Sequence, residues 1–150
     1  MRTLLLLKET RSIEDLLLYR PNISSTDTFN VFLPNHFKIT SNIIRTSATT
    51  AYCHYDIYRG NTQIYNIGAL REKGSLSIRR QTDSNMVVDN NSSIIPVNTQ
   101  TTMEYEYNNG SQTLTSNNTT ISGNDNTSFD RFGNVFIDKY TVTNLKIKTL

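Results

Sequence analysis

Hydrophobic residues recur at every second position through most of the chain, which is the period of a β-strand and not of a helix. The alternation begins near Phe29 and is clearest in "FNVFL", "HFKITSNIIR", "AYCHYDIY" and "TQIYNIGAL". Similar runs follow at "GSLSIRR", "NMVV", "SIIPV", "TTMEYEY", "QTLTS", "NVFID" and "YTVTNLKIKTL". Clusters of turn-forming residues such as "TDSN", "NNGS" and "SGNDNTS" separate these runs. The pattern therefore predicts an all-β protein.

The spacing of the runs indicates the architecture. Short strands at intervals of roughly 8–12 residues, with polar turns between them, are typical of antiparallel sandwiches and barrels. We therefore expect about eight to ten antiparallel strands, arranged as a jelly-roll-like β-sandwich or as a closed β-barrel. The pair Gly60-Asn61 predicts a tight hairpin turn, and Pro96 predicts an edge strand or a bulge.

The first 20 residues differ from the rest of the chain. The run "RTLLLLKE" predicts a short buried strand. Ser12 stands three residues before Asp15, which is the spacing of a capping box, and three leucines follow before Pro21. One short helix is therefore expected near residues 13–19. We predict a single domain over residues 1–150, with a strand/helix segment at 1–20 and a sandwich or barrel over 29–150.

The composition supports a folded chain with a polar surface. Hydrophobic residues make up 36% and charged residues 19% of the 150 positions, and Asn, Ser and Thr fill the difference. Disordered chains usually carry a high net charge, whereas the formal charge here is only +2. A domain of this length can bury a core without disulfides, and the single Cys53 excludes an internal disulfide framework.

Targeting signals are not evident in the sequence. The apolar run at 4–7 is shorter than the roughly 7–15 residues of a secretory signal, and no stretch approaches the roughly 20 of a membrane span. We therefore expect no signal peptide and no transmembrane segment, and an intracellular or virion-associated location.

One strand carries the strongest candidate for a site. Tyr52, His54, Asp56 and Tyr58, which we call the 52–58 row, alternate with the apolar residues of "AYCHYDIY". A Tyr, His and Asp cluster could supply an acid, a base and an orienting partner. A strand with one face in water shows the same alternation, and we favour this solvent-face interpretation. Substituting His54 or Asp56 by Ala is then expected to change stability by no more than about 0.5 kcal/mol.

No familiar catalytic or metal-binding motif accompanies this row. The sequence lacks a G-x-S-x-G elbow, and Cys53 and His54, as neighbours in a strand, point to opposite faces. The loop "NDNTSFD" lacks the glycine and the bidentate glutamate of a calcium loop, and no glycine-rich phosphate loop occurs. We therefore predict no metal and no cofactor, and we favour a non-enzymatic function.

Basic residues cluster in one part of the chain. The candidate basic contact patch consists of Arg59, Arg71, Lys73, Arg79 and Arg80. Such residues could contact phosphates, but the small net charge makes nucleic acid an unfavoured partner. Contacts with a protein partner or with solvent are the favoured interpretation.

The segment "YDIYRGNTQIYNIGAL" resembles the opening hairpin of the allene oxide cyclase and dirigent barrels. In that family an aromatic and acidic strand precedes a turn, and an Ile-Gly or Val-Gly pair follows, where this chain has Ile67-Gly68. The resemblance covers about twenty residues, and the family's later G-x-G stretches are absent. It implies a closed barrel in which the 52–58 row lines a cavity.

Three functions remain open at this point. The first is a structural or interaction protein that decorates or cements a larger assembly, such as a viral or phage particle, with protein partners or a homo-oligomer. The second is a small-molecule-binding barrel of the cyclase and dirigent type. The third is a carbohydrate-binding jelly roll. The absence of catalytic motifs favours the first.

Overall fold

The computed structural model describes residues 15–71, 73–90, 92 and 95–150, and in that part of the chain all regular structure is β. Twelve strands follow one another along these described residues. They are β1 (Leu16–Ile23), β2 (Val31–Phe32), β3 (His36–Arg45), β4 (Tyr52–Arg59), β5 (Thr62–Ala69), β6 (Leu76–Arg80), β7 (Asn85–Asp89), β8 (Gln100–Asn108), β9 (Ser111–Ser116), β10 (Thr119–Asn124), β11 (Arg131–Asp138) and β12 (Tyr140–Thr149).

The strands form two antiparallel sheets of six. Sheet 1 has the order β1-β12-β3-β8-β9-β10, and sheet 2 has the order β2-β11-β4-β5-β6-β7. Each sheet keeps two edge strands, so neither closes on itself. The predicted all-β sandwich is therefore confirmed, and the closed-barrel alternative is wrong. The "YDIYRGNTQIYNIGAL" hairpin does form, with Gly60-Asn61 at its turn, but it joins an open sheet.

The core lies between the two sheets and follows from the alternation along each strand. In β3 every second residue is buried, and Phe37, Ile39 and Ile43 point inward as their spacing predicts. In β4 the inward residues are Cys53, Tyr55 and Ile57. A fully buried side chain of this kind stabilises the fold by about 1.5–3 kcal/mol, so the two inner faces hold the sandwich together.

The helix expected near residues 13–19 is absent from the described part of the chain. Residues 13 and 14, like the "LLLL" run, lie outside the described residues, and residues 16–19 belong to the edge strand β1. A helix of about seven residues has too few hydrogen bonds to be stable alone, whereas β1 gains a full ladder against β12. Pro21 is tolerated because β1 is an edge strand.

The predicted strand at "SIIPV" is reduced to a single bridge. Val97 pairs with Arg45 at the end of β3, and residues 93 and 94 lie outside the described residues. The Arg45 side chain is buried there and donates to the carbonyl oxygens of Ile95 (3.2 Å) and Thr49 (3.3 Å). The buried guanidinium therefore ties the loops at this end of the sandwich to sheet 1.

Candidate functional site

Four polar residues lie side by side across the outer face of sheet 2. The strand register places Asn134 of β11 opposite Asp56 of β4, Asp56 opposite Asn66 of β5, and Asn66 opposite Arg79 of β6. We call this line of four side chains the polar row. It crosses four adjacent strands at right angles, so each side chain is held by the sheet next to its neighbour.

Asp56 is the centre of the polar row. Its Oδ1 accepts hydrogen bonds from His54 Nδ1 (2.6 Å) and Asn66 Nδ2 (2.7 Å), and its Oδ2 accepts one from Asn134 Nδ2 (2.7 Å). The residue is only 1% exposed, although it lies on the outer face of the sheet. A buried carboxylate is costly unless donors surround it. The three donors meet that requirement and are thereby fixed in position.

The polar row continues through further hydrogen bonds. Asn66 Oδ1 accepts from both Nη2 (3.0 Å) and Nε (3.3 Å) of Arg79. At the other end, Tyr58 Oη donates to Asn134 Oδ1 (2.6 Å) and accepts from Gln63 Nε2 (3.1 Å). Gln63 Oε1 in turn accepts from Asn66 Nδ2 (3.1 Å), so every amide of this network is oriented by at least two partners, as a preorganised binding surface requires.

An aromatic surface lies in the next line of residues across the sheet. Phe136 of β11 stands opposite His54 of β4, and their rings are stacked with centroids 4.9 Å apart and planes 9° apart. The Phe136 side chain is 45% exposed. Because Asp56 accepts the Nδ1 proton of His54, the Nε2 atom is left to face other partners, and no described residue bonds to it.

Gly68 completes this second line and is required by geometry. It lies between His54 of β4 and Ser77 of β6 and has a φ of +148°, a conformation that favours glycine. A Cβ atom added there would approach the carbonyl oxygen of Cys53 to 2.4 Å. The close contact of β4 and β5 beside the polar row therefore depends on the missing side chain.

The structure changes the interpretation of the 52–58 row. All four side chains are on the outer face of sheet 2, as the alternation predicts, and Tyr52 pairs across to Asp138 at the far end. The solvent-face interpretation is wrong for Asp56, which is buried, and for His54, whose side chain is only 12% exposed. On this face the outward side chains bond to one another and not to water. The alternation along a single strand cannot reveal such bonds, because they join different strands.

Within the described residues, His54 bonds to Asp56 and not to a nucleophile. Cys53 lies in the core, where burial raises the pKa of its thiol far above the ordinary value. No serine, threonine or cysteine side chain among the described residues bonds to His54, whose bond is to Asp56. Within the same residues, no three His, Cys, Asp or Glu side chains are placed to hold a metal ion. The geometry is suited to holding a ligand by hydrogen bonds.

The predicted basic patch is divided by the fold. Arg71 pairs with Asp89, and Arg80 pairs with Asp83 (2.7 Å) and Asp125 (2.5 Å). The other three residues occupy separate places: Arg59 donates to Ser128 (2.8 Å), Lys73 lies in the β5–β6 connection, and Arg79 belongs to the polar row. The structure therefore brings one residue of the patch, Arg79, to the candidate site.

Sequence reasoning missed Asn66, Asn134 and Phe136. The first two are asparagines in strand interiors, where asparagine is normally disfavoured. That signal could have marked both positions as special. Their partnership with Asp56 could not be predicted, because it depends on the register of β5 and β11 against β4.

The sequence matches no protein-family model and no curated protein. The fold, in contrast, is shared with solved structures. The galectin LEC-6 of Caenorhabditis elegans superposes with a TM-score of 0.66 and 12% identity over 86% of this chain and 94% of its own. The carbohydrate-binding module CBM66 of Bacillus subtilis superposes with a TM-score of 0.62 and 10% identity, over 91% of this chain and 95% of the module. The homodimeric agglutinin CG-16 from chicken liver superposes with a TM-score of 0.56 and 7% identity, over 87% of this chain and 98% of the agglutinin.

These similarities establish the class of fold. At identities this low, they show that the chain has the jelly-roll sandwich of galectins and carbohydrate-binding modules. They transfer no residue role. In the described part of the chain, no helix is long and apolar enough to cross a membrane.

Proposed function

We propose that this chain binds a carbohydrate on the outer face of sheet 2. The contact surface consists of Phe136 and the two ends of the polar row, Asn134 and Arg79, and the buried centre of the row holds those ends in place. The observation that carries the proposal is the burial of Asp56 inside a network that belongs to no part of the core. The core lies on the other side of the same sheet, so its packing gives no reason to bury a carboxylate there. Fixing the outward amides and imidazole is what the network accomplishes.

The chemistry of the surface suits a sugar ring. Sugars carry hydroxyl groups that both donate and accept, and a neutral amide also offers both. Imidazole and guanidinium groups held in place add directional donors at low entropic cost. The exposed ring of Phe136 offers an apolar face for the C–H side of a pyranose. A planar aromatic beside oriented polar groups is the arrangement expected of a small-ligand site.

The shared fold supports the same conclusion. One structural neighbour is named a carbohydrate-binding module, and several others are galectins. These similarities favour the carbohydrate-binding jelly roll over the assembly hypothesis, which no observation tests. The cyclase-like barrel loses its basis, because the sheets are open.

The proposal can be tested by titrating the protein with a panel of neutral and acidic oligosaccharides and following backbone amide signals by NMR. We expect signals of β4, β5 and β11 to shift. Phe136→Ala should weaken binding about three- to tenfold, as loss of one aromatic contact does, and should leave the fold intact.

Phe32→Ala is the matched control, because Phe32 is 69% exposed on the edge strand β2 of the same sheet. It should leave binding unchanged. Absence of any shift at millimolar sugar would refute the proposal. Shifts confined to Tyr19 and Asn144 would move the site to sheet 1, where a depression of about 530 Å³ includes these residues.

The oligomeric state stays a prediction. One structural neighbour is described as homodimeric, and a homo-oligomer would present several copies of the site together. Native mass spectrometry of the purified chain measures the stoichiometry directly. The virion partner and the intracellular location likewise stay predictions.

A further inference from the structure

Arg79 differs from the other arginines of its hairpin in its surroundings. Arg71, in the β5–β6 connection, pairs with Asp89. Arg80, the last residue of β6, pairs with Asp83 and Asp125. Arg79 forms an ion pair with no acidic group among the described residues. Its bonds go to the neutral oxygen of Asn66. A positive charge therefore stands at one end of the polar row.

The guanidinium is also fixed in orientation. A guanidinium has five N–H groups, and Nε and Nη2 each use one on Asn66 Oδ1. The remaining three have no partner among the described residues, and two of them form the edge between Nη1 and Nη2. That edge matches the two oxygens of a carboxylate, which arginine binds with two parallel hydrogen bonds.

The acidic groups described on this face have other partners than Arg79. Asp56 lies two strands away in the polar row, and its carboxylate accepts from His54, Asn66 and Asn134. Asp89 is engaged by Arg71 and Ser77, and Asp138 lies at the far edge of the face, opposite Tyr52. The charge nearest the open end of the polar row is therefore that of Arg79.

We infer that the site takes a carboxylated glycan, and that Arg79 binds the carboxylate while Asn134 and Phe136 hold the sugar. This inference rests on the proposed carbohydrate-binding function and names its ligand class. A neutral glycan would leave the N–H groups of the Nη1–Nη2 edge to water, whereas the carboxylate of a uronate or a similar sugar acid would pair with both of them.

The test compares three matched oligosaccharides of equal length: neutral, carboxylated and sulfated. Calorimetric titration of the full chain should give about tenfold tighter binding of the carboxylated form than of the neutral form. This preference should fall with rising salt, because a charge pair at a solvent-accessible site is screened. Tighter binding of the sulfated form would overturn the assignment of a carboxylate.

Arg79→Gln removes the charge and keeps an amide that can reach Asn66. It should abolish the preference and leave binding of the neutral glycan within about twofold. Arg79→Lys keeps the charge without the planar fork and should retain a reduced preference. The matched control is Arg71→Gln, on the same hairpin but paired with Asp89, which should keep the full preference.

The outcomes separate the two claims. Equal binding of the neutral and carboxylated glycans, or a preference that survives Arg79→Gln, would overturn this inference and leave the proposed function standing. Binding of none of the three by the unsubstituted chain would overturn both. Thermal unfolding of each variant verifies that it is folded before its binding is compared.

Discussion

The two outer faces of the sandwich are both polar, but their polar groups are satisfied in different ways. On sheet 1, Lys38 meets Glu104 at 3.5 Å and His36 meets Glu106 at 3.0 Å, and all four side chains are substantially exposed. On sheet 2, Asp56 and Asn66 are 1% exposed and bond to one another. The alternation of polar residues along a strand therefore identifies a polar face. Only the contacts between side chains of neighbouring strands distinguish a solvated face from an ordered network.

The difference has an energetic consequence. A side chain solvated on sheet 1 can be removed and replaced by water at little cost, because exposed pairs contribute roughly 0–1 kcal/mol. A member of the polar row cannot be removed in this way, because its partners are already desolvated. Substitutions of equal chemistry on the two faces should therefore differ in their effect.

The largest effect is expected at Gly68. Gly68→Ala places a Cβ atom against the backbone of β4 in a conformation that favours glycine, and we expect a loss of about 4 kcal/mol in the free energy of unfolding. Gly60→Ala is the control, because Gly60 has a φ of +59° and open space around it. That change should cost about 1–2 kcal/mol. Urea unfolding measures both, and equal losses would mean that the contact between β4 and β5 is easily relieved.

Asp56→Ala should have the next largest effect. It leaves the donors of His54, Asn66 and Asn134 without their acceptor, and we expect a loss of about 3 kcal/mol in the free energy of unfolding. The control on the other face is Glu104→Ala, which should stay within about 0.5 kcal/mol. If the two substitutions cost the same, the outer faces do not differ and the polar row is ordinary surface.

A smaller effect should depend on pH. The hydrogen bond from Arg71 is the main cause that lowers the pKa of Asp89 below its ordinary value of 3.8 in the folded protein. The pairing therefore stabilises the fold above about pH 4, and its contribution is lost as the pH falls through the lowered pKa. Arg71→Met should cost stability at pH 6, less than Asp56→Ala does, and the difference should shrink towards pH 2. If the urea midpoints of Arg71→Met and the unsubstituted chain differed by the same amount at pH 6 and pH 2, this pairing would be contradicted.

The smallest effect is expected from Lys38→Met on sheet 1. Its partner Glu104 remains solvated, so the free energy of unfolding should change by no more than about 0.5 kcal/mol. Guanidinium chloride would screen the pair, so urea at low salt is the appropriate denaturant. A loss above 1 kcal/mol would show that sheet 1 also carries a coupled network.

The fold class could be predicted because it depends on a local signal. The alternation in β3 and β4 correctly predicts their inward residues, such as Phe37 and Ile57. This works because successive side chains of a strand point to opposite faces of the sheet. The helix prediction is wrong for residues 16–19, because this segment is stabilised by pairing with β12, more than a hundred residues away in sequence.

For the candidate site, the sequence identified residues of β4 and one residue of β6. The 52–58 row and Arg79 were singled out, while Asn66, Asn134 and Phe136 were not. The site is a line across four strands, and its members are separated by up to 78 residues in sequence. No period along the chain connects them, because the connection is the register of neighbouring strands.

The sequence by itself determined that most strands alternate apolar and polar residues, and that the chain folds into antiparallel sheets without a disulfide. Hydrophobic burial decides these properties, and it acts on each strand separately. Tertiary structure alone decided that the sheets stay open, that Asp56 is enclosed, and that Arg79 is left without an acidic partner among the described residues. Those features depend on which strands are neighbours and in what register, and that choice minimises the free energy of the whole molecule, not of any one segment.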